Sequence, residues 1–447
     1  MEKIRVCIIG GGSRLWAIQF LKDLTLQNKL SAHVVLYDID RKAAENNEAV
    51  ANEIFRINGK ADMLSVSVAS TLDEGLKGGD FVIIAIEPGL TEIRKYDLEL
   101  PEEYGILQSV GDTTGPGGLM RARRAIPLFV DFARAVERNC PDAWVINYTN
   151  PMTLCTAALY KGFPKIKALG CCHEVFHTES YIASFIAERR GIEAPDRREI
   201  DIDVSGLNHF TFVTKARYKG EDVMPLLKEY VMGDDVFADR TESAKGRVRD
   251  GKWFDSDHLV SLRFLRDFDT LGAAGDRHLA EFVPFFLSCD ESCWRYGFVR
   301  TPYSYRAAED IRKKNKIYTP EELIAKPSDE EGVDIILSLA GERTLKTNIN
   351  IPNSGQVGYL GKGHIVESNG YISANSIVPI VSTNPSLSIQ AMVQRIEAEQ
   401  DIALEAILEN DMDELFEAFI LDPLVNIPID KAHELFDRML TSCALRY

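Results

Sequence analysis

The first 175 residues alternate short apolar runs with longer segments of helical period. The apolar runs are rich in β-branched residues and occupy positions 4–10, 33–38, 64–70, 81–86, 143–149 and 167–171. Near-continuous apolar strands separated by helices are typical of a parallel sheet that is covered on both faces. The pattern predicts an α/β fold with a Rossmann-like, doubly wound parallel sheet.

The regular alternation of strand and helix patterns ends after residue 200. Residues 200–218 predict a long strand or a hairpin, and the polar, charged residues 232–257 predict a mobile loop. Helical periods follow at 258–268 and 278–287, and a helix with short strands is predicted within 333–382. The rest of the chain has a helical period, so this half is expected to be a mixed α+β domain.

The composition limits the partners of the chain. Its 447 residues carry a net charge of −17, which argues against nucleic-acid binding through phosphate contacts. We find no polybasic segment and no apolar run approaching the length of a membrane span. The opening "MEKIRVCIIGGG" leads directly into a strand, which predicts no signal peptide. The eight cysteines are too few for a disulfide framework and predict cytosolic thiols, hence a cytoplasmic protein without membrane or nucleic-acid partners.

The stretch "IRVCIIGGGS" joins the first predicted strand to a helix through a glycine-rich turn. Gly10 suits a tight turn, Gly12 lets the backbone approach a pyrophosphate, and Asp38 ends the second strand, where it can accept from a ribose hydroxyl. The third glycine position of this fingerprint holds Leu15, so a bare strand–helix turn is the alternative. An aspartate at position 38 favours NAD over NADP, although Arg41 is nearby.

The glycine-rich turn and the end of the strand–helix alternation after residue 200 together predict two domains. We expect an NAD-binding Rossmann domain over residues 1–195 and an α+β domain that binds substrate and metal over residues 196–447.

Four clusters of polar residues lie where predicted strands end or where glycine-rich turns occur. In chain order they contain Asp112, then Asn147 and Asn150, then Cys172, His173 and Glu174, and finally Asn208, His209, Asp276, Arg277 and His278. Ligands of open α/β sheets bind at the carboxyl edge of the strands, so the clusters after the fifth and sixth strands are expected to share one crevice. Since neighbouring strand residues point to opposite faces, Cys171 is predicted to pack behind the sheet.

Each of these residues has a simpler explanation when it is taken alone. Cys172 could be a small buried apolar residue, and His209 a polar residue whose hydrogen bonds are satisfied. Asp276 could be a helix N-cap, and the two asparagines could only close the turn before Pro151.

Short motifs along nearly the whole chain carry a resemblance that single residues do not. They are "IIGGGS", "RKYDLELPEEYG", "GDTTGPGG", "NYTNP", "GCCHEV", "GLNHF", "GDRHLAEF" and "NIPNSGQVGYL". Together they resemble glycoside hydrolase family 4, the NAD- and metal-dependent glycosidases. The four residues that begin at Cys172 read Cys-His-Glu-Val, and this version resembles the α-galacturonidase subgroup.

The resemblance implies a role for each candidate residue. It implies a divalent metal, usually Mn²⁺, on Cys172 and His209. It implies NAD at Gly10, Gly12, Ser13, Asp38 and Asn147. It implies Asp276 as the catalytic base, with Asp112 and His173 assisting, and contacts to the sugar from Asn150 and Glu174. A uronate also needs a cation for its carboxylate, for which Arg277 and Arg94 are both candidates between which the sequence does not choose.

The resemblance also implies an unusual route of hydrolysis. NAD⁺ transiently oxidises C3 of the sugar, which acidifies the proton on C2. A base removes that proton, the aglycone leaves C1 by elimination, and water addition and return of the hydride complete a redox-neutral cycle. A thiolate ligand by itself would suggest zinc, so manganese is implied by the resemblance alone.

Alternatives remain open within and outside the family. An α-glucuronidase or α-galactosidase would share the motifs, and an NAD-dependent 2-hydroxy-acid dehydrogenase would share the nucleotide domain. A non-catalytic NAD sensor is a third class, although it would have no need of Cys172, His209 and Asp276. The protein is expected to be a homo-oligomer, a dimer or a tetramer.

Overall fold

One continuous sheet organises the computed structural model, which describes residues 3–233 and 235–443. Its strands are β1 (Lys3–Ile9), β2 (Ser31–Tyr37), β3 (Leu64–Val68), β4 (Phe81–Ile84), β5 (Trp144–Asn147), β6 (Lys167–Gly170), β7 (Ile200–Leu207), β8 (Phe210–Tyr218), β9 (Glu221–Asp222), β10 (Leu271–Gly272), β11 (Leu345–Pro352), β12 (Ile365–Ser373) and β13 (Ser376–Pro379). Their order across the sheet is β3-β2-β1-β4-β5-β6-β11-β12-β7-β8-β10, with β13 beside β12 and β9 beside β8.

The strands β1 to β6 pair in parallel, in the order of a dinucleotide-binding fold. The helices that connect and follow them are α1 (Trp16–Leu24), α2 (Arg41–Ile57), α3 (Leu72–Leu76), α4 (Ile93–Glu102), α5 (Gly115–Asn139), α6 (Met152–Gly162) and α7 (Glu174–Arg190). Val6 and Ile8 pack into the apolar core on one face of the sheet, and Cys7 and Ile9 pack into the core on the other. The predicted doubly wound α/β sheet is therefore confirmed.

The second half of the chain extends the same sheet with antiparallel strands. β11 pairs with β6 at Asn350 and Gly170, and β12 pairs with β7 at Glu367 and Gly206. β7 and β8 form the hairpin that was predicted for residues 200–218. The sheet thus crosses the predicted domain boundary at residue 195 without a break, and the division into two domains stays a prediction.

Helices surround the antiparallel strands of the second half. They are α8 (Met224–Val231), α9 (Thr241–Arg249), α10 (Leu259–Phe268), α11 (Asp276–Leu279), α12 (Asp290–Arg295), α13 (Tyr303–Lys314), α14 (Pro320–Leu323), α15 (Gly332–Leu339), α16 (Leu387–Glu409), α17 (Met412–Leu421) and α18 (Ile429–Ser442). In the described part of the chain, no helix has the length and apolar character needed to cross a membrane.

Two sequence predictions for the second half are wrong in part. The loop predicted over 232–257, of which residue 234 lies outside the described residues, contains α9. The helix predicted over 278–287 ends early, because Val283 adopts extended backbone angles (φ −146°, ψ 147°) before Pro284. A residue that precedes proline is sterically disfavoured from the helical conformation.

Candidate active site

A large cavity of about 880 Å³ opens at the carboxyl edge of β5 and β6. The candidate residues that line it are Asp112, Asn150, Cys172, His173, Glu174, His209, Asp276, Arg277 and His278. They come from both halves of the sheet, which brings together segments more than a hundred residues apart. The cavity is large enough for a sugar beside a cofactor ring.

The glycine-rich turn after β1 has the geometry that the dinucleotide fingerprint requires. Gly10 has φ +92°, and a Cβ there would lie 2.1 Å from the carbonyl oxygen of Ala85. The Gly12 amide donates to Asp38 Oδ2 at 2.8 Å, where a Cβ would fill the same space. Ser13 N donates to the Gly10 carbonyl at 3.0 Å and so closes the turn. This cradle at the start of α1 fits the pyrophosphate of a dinucleotide.

The leucine at the third glycine position does not obstruct the turn. Leu15 is the N-cap residue of α1, with an ordinary φ of −117° and a side chain that is 60% exposed. Its side chain therefore points to solvent and does not enter the space between helix and strand.

The cofactor contact predicted for Asn147 is not supported, because its amide is used within the chain. Its Nδ2 donates to the Thr149 carbonyl and to Thr156 Oγ1, both at 3.2 Å, and its Oδ1 accepts from Thr149 N at 2.8 Å. Asn147 therefore shapes the loop after β5. Asn150 differs, since its Oδ1 is buried at the cavity without a partner.

Cys172 is the second residue after β6, and His209 lies in the turn between β7 and β8. Burial raises the pKa of the Cys172 thiol well above its usual value and lowers the pKa of His209 to about 3. A neutral imidazole and a thiol that loses its proton on coordination are both suitable metal ligands. In residues 3–233 and 235–443, no three His, Cys, Asp or Glu side chains group closely enough to hold one ion. Cys172 and His209 both line the cavity and are the candidate residues for holding a metal there.

A hydrogen-bonded chain fixes which nitrogen of His209 is free. Thr113 Oγ1 donates to Asp112 Oδ1 at 2.9 Å and lies 3.0 Å from His209 Nδ1. Burial by itself would raise the pKa of Asp112, but the surrounding His278 and Arg121 hold this pKa below its usual range. The carboxylate is therefore ionised and can only accept hydrogen bonds. The single hydroxyl proton of Thr113 is then used on Asp112, and His209 must donate through Nδ1. Its Nε2 keeps the lone pair that a metal requires.

Glu367 on β12 connects the two segments that carry these ligands. Its Oε2 accepts from Thr211 Oγ1 at 2.7 Å and from Asn208 Nδ2 at 3.3 Å. Its Oε1 accepts from Asn348 Nδ2 at 2.7 Å, and the same Nδ2 lies 3.1 Å from the carbonyl oxygen of Cys172. One buried carboxylate therefore holds the turn of His209 and the loop of Cys172 in a fixed relation.

The Cys-His-Glu-Val motif contacts both halves of the chain. His173 Nδ1 lies 3.2 Å from Glu330 Oε1; burial opposes protonation, but Glu330 raises the pKa of His173 to about 9. Glu174 Oε2 accepts from the Gly275 amide at 2.8 Å and so fixes the turn that precedes Asp276. Despite its burial, the nearby His278 holds the pKa of Glu174 below its usual range.

Asp276 is buried and begins α11, but it does not cap that helix. Its Oδ1 accepts from Ser261 N at 3.1 Å, at the start of α10, and its Oδ2 is buried without a partner at the cavity. Burial raises the pKa of Asp276 to about 7. The alternative that Asp276 only caps its own helix is therefore wrong.

Cys171 corrects the prediction made from strand alternation. It packs in the apolar core below β6, but it also lines the cavity beside Cys172. The alternation no longer applies because β6 ends at Gly170, one residue earlier.

Arg94 is the one predicted sugar contact that the structure keeps away from the cavity. Its Nη2 pairs with Glu87 Oε2 at 3.2 Å, and Arg94 is absent from the cavity wall. Three residues that sequence reasoning missed do line the wall: Tyr181, Arg306 and Glu330. None belongs to a motif that marks it in the sequence.

The fold and the cavity define a protein of the dinucleotide-binding class whose cavity brings together Cys172, His209 and the buried carboxyl group of Asp276. Two family models match the chain: family 4 glycosyl hydrolase over residues 5–188, and the C-terminal domain of the family 4 glycosyl hydrolases over residues 204–425. The chain belongs to the family 4 glycosyl hydrolases and is a glycosidase, which confirms the resemblance.

Individual relatives match along nearly their whole length. The α-galacturonidase of Thermoanaerobacterium saccharolyticum is 42% identical, covering 98% of this chain and 96% of its own. The α-galacturonidase of Bacillus subtilis is 40% identical, covering 98% and 97%. The crystal structure of lplD from Bacillus subtilis superposes with a TM-score of 0.91 at 40% identity, covering 98% of this chain and all of that one.

A more distant structure shares the fold. It is a 6-phospho-α-glucosidase from gut microorganisms in complex with NAD and Mn²⁺, with a TM-score of 0.78 at 20% identity over 98% of both chains.

Proposed function

We propose that the protein is an NAD- and divalent-metal-dependent α-galacturonidase. The observation that carries this proposal is the Cys-His-Glu-Val segment at Cys172, set in a cavity that also holds His209 and Asp276. The α-galacturonidases that are 40–42% identical over nearly the full chain support the same substrate. The distant 6-phospho-α-glucosidase crystallised with NAD and Mn²⁺ supports the pair of cofactors.

The residues present fit both groups. The turn at Gly10 and Gly12, together with Asp38, would hold NAD, while Cys172 and His209 Nε2 would hold a divalent metal. When bound, these groups supply reversible oxidation of the sugar at C3 and stabilisation of negative charge on its oxygens. Asn150 Oδ1, which lacks a partner, is available to accept a hydrogen bond from a sugar hydroxyl.

Asp276 is the base that we propose for the C2 proton. A general base works best when its pKa lies near the operating pH, and burial raises the pKa of Asp276 to about 7. Tyr148 and Tyr181 also line the cavity, but burial raises the pKa of both hydroxyls above the usual value of a tyrosine. Asp276 is therefore the better base near neutral pH, and its Oδ2 is the atom free to accept the proton.

Product analysis tests the proposal against its alternatives. The purified protein, with NAD⁺, Mn²⁺ and a thiol reductant, is offered the 4-nitrophenyl α-glycosides of galacturonate, glucuronate, galactose and glucose. We expect release of nitrophenol from the galacturonide without accumulation of NADH, and loss of activity after EDTA treatment and desalting. Preference for the glucuronide or the galactoside would show that the proposed substrate is wrong and would identify the correct one. Steady accumulation of NADH would indicate a dehydrogenase.

Deuterium incorporation tests the route of cleavage. If Asp276 removes the C2 proton during turnover, hydrolysis in D₂O places deuterium at C2 of the released galacturonate, which NMR detects. A pair of carboxylates acting only at C1 leaves the C2–H bond intact. Released sugar without deuterium at C2 contradicts the proposed route.

We also propose a reducing, cytoplasmic setting and assembly as a homo-oligomer. All eight cysteines are free thiols, and oxidation of Cys172 would remove a metal ligand. An exposed apolar strip, formed by Tyr371 on β12, Val378 on β13 and Val381 just after β13, supports contact with a second copy. Light scattering after size-exclusion chromatography distinguishes a dimer or tetramer from a monomer.

A further inference from the structure

Two arginines at the cavity, the buried Arg277 and the partly buried Arg306, differ from the other arginines of the interior. Arg124 pairs with Asp97, and Arg197 pairs with Glu331, so each buried guanidinium has a carboxylate. Arg277 and Arg306 line the cavity, and in the described part of the chain neither has a carboxylate oxygen within 4.0 Å. A buried charge without a partner is costly unless a ligand neutralises it.

The two guanidinium groups are anchored on the backbone carbonyls of the neighbouring residues Ser109 and Val110, and the charge of Arg277 acts on Arg306. Arg277 Nη2 donates to the Ser109 carbonyl at 3.2 Å and to Thr301 Oγ1 at 2.7 Å. Arg306 Nη2 donates to the Val110 carbonyl at 3.1 Å. The Nε atoms of both arginines are buried without a partner. These bonds fix the orientation of each fork and leave donors free for a ligand.

Each nearby carboxylate has one oxygen engaged by a donor other than the two arginines. Glu281 Oε1 accepts from Val110 N at 2.8 Å and from Gly111 N at 2.9 Å, and Asp112 Oδ1 accepts from Thr113. Burial, followed by the charge of Arg94 and Arg277, lowers the pKa of Arg306 to about 10. Arg306 is still protonated at neutral pH, so the wall presents two like charges that an anion would stabilise.

We infer that Arg306 and Arg277 form the subsite for the C6 carboxylate of the uronic acid. Two guanidinium forks can share the two oxygens of one carboxylate, which is the arrangement that arginine serves best. Arg94 is a poorer candidate because it pairs with Glu87 and does not line the cavity. The pyrophosphate of the dinucleotide does not need these arginines, because the turn at Gly10 would bind it. The inference rests on the proposed function and assigns the residue that selects a uronate over a neutral sugar.

Substitution of Arg306 tests the assignment. Arg306→Gln and Arg306→Lys are compared with wild type and with Arg300→Gln, a matched control whose guanidinium pairs with Asp290 and Glu102. For each protein with NAD⁺ and Mn²⁺, kcat/KM is measured for 4-nitrophenyl α-D-galacturonide and α-D-galactoside. Calorimetry measures binding of D-galacturonate and D-galactose, which does not depend on turnover.

We expect Arg306→Gln to lower kcat/KM for the galacturonide and the affinity for galacturonate by about 10- to 100-fold, the usual effect of losing a hydrogen bond between charged groups. Binding and cleavage of the neutral sugars should stay within about threefold of wild type. Arg306→Lys keeps the charge without the fork and should recover part of the loss, whereas Arg300→Gln should leave the ratio of the two substrates unchanged.

The outcomes separate the inference from the proposed function. The inference is overturned if Arg306→Gln loses kcat/KM equally for charged and neutral sugars, or if it binds galacturonate as tightly as wild type. In either case, cleavage of the galacturonide by the wild type still upholds the proposed function. A wild-type protein that cleaves no galacturonide overturns the function, and the calorimetric comparison still decides whether Arg306 binds a uronate.

Discussion

Two opposing effects act on the Asp276 carboxylate. Backbone amides of Val260 and Ser261, at the start of α10, hydrogen-bond to it and by themselves lower its pKa. Burial acts more strongly in the opposite direction and raises the pKa to about 7. The same residue therefore has one oxygen fixed by a helix terminus and one that can take a proton near neutral pH.

Asp276→Asn should lose activity and gain stability. We expect kcat/KM to fall by about 10²–10⁴-fold, the usual effect of removing a general base. In the wild type, kcat/KM should rise with pH until about pH 7, because the base must be ionised. The folded state raises the pKa from 3.8 to about 7, so ionisation in this interval destabilises the fold as pH rises.

Thermal melts at two pH values complete the test of Asp276. At about pH 8 the uncharged variant should melt at a higher temperature than wild type, and near pH 3.5 the two should melt together. A variant that melts lower at both pH values would show that Asp276 is needed for folding, and its inactivity would then say little about catalysis.

The adjacent cysteines should respond differently to replacement by serine. Cys172→Ser removes the thiolate and should abolish activity and weaken Mn²⁺ binding, while the circular dichroism spectrum is retained. Cys171 packs in the core below β6, so Cys171→Ser should lower the melting temperature modestly and keep the metal. Electron paramagnetic resonance of free Mn²⁺ measures both affinities, and equal loss of metal in the two variants would contradict the assignment.

Sequence reasoning identified the residues that stand in motifs and missed those that do not. Cys172, His209 and Asp276 occupy recognisable segments, and all three line the cavity. Arg306 lies on the helix α13, whose sequence is that of an ordinary charged surface helix. Its position at the cavity depends on where α13 meets the carbonyl of Val110, and such a long-range contact leaves no local pattern.

At the scale of elements, strand β12 fixes the relation between the two metal-ligand segments. Glu367 accepts from Thr211 and Asn208 on one side and from Asn348 on the other. Its interactions are internal to the protein, so its expected role is to position ligands and not to bind the ion itself.

Glu367→Gln should therefore weaken metal binding without removing a ligand. A side-chain amide places a donor where Thr211 and Asn208 also donate, which should loosen the two segments. We expect Mn²⁺ affinity to fall by about 10- to 100-fold, typical of residues behind a metal ligand, with NAD⁺ affinity unchanged. Glu397→Gln is the matched control, because Glu397 accepts from the Gly361 amide away from the cavity. Equal Mn²⁺ affinities in the two variants would exclude this role.

The elements of the first half were predictable because their strands are apolar throughout. β4, for example, is buried at all four of its residues. The strands β11 and β12 were harder to predict because their buried positions include Asn348, Asn350, Glu367 and Asn369. These polar residues serve the site and interrupt the apolar alternation from which strands are recognised.

At the scale of the whole molecule, one sheet connects the two halves through β6 and β11. We expect a single cooperative unfolding transition. The four tryptophans offer a test, since Trp16 and Trp144 lie in the first half and Trp253 and Trp294 in the second. Variants that keep only one pair, with phenylalanine at the other two positions, should melt at the same temperature by fluorescence. Two separate midpoints would show that the halves unfold independently.

The unbroken sheet also bears on the time course of catalysis. Many two-domain enzymes open and close about a hinge in every cycle, which releases the cofactor along with the product. Here the strands that carry the dinucleotide turn and those that carry His209 are hydrogen-bonded into one surface, so there is no hinge between them. Residues 254–256 line the cavity from outside the sheet, and the adjacent Asp257 accepts a hydrogen bond from Arg247. NAD⁺, which is regenerated at the end of each cycle, can then stay bound between turnovers. One bound molecule can serve many successive substrates.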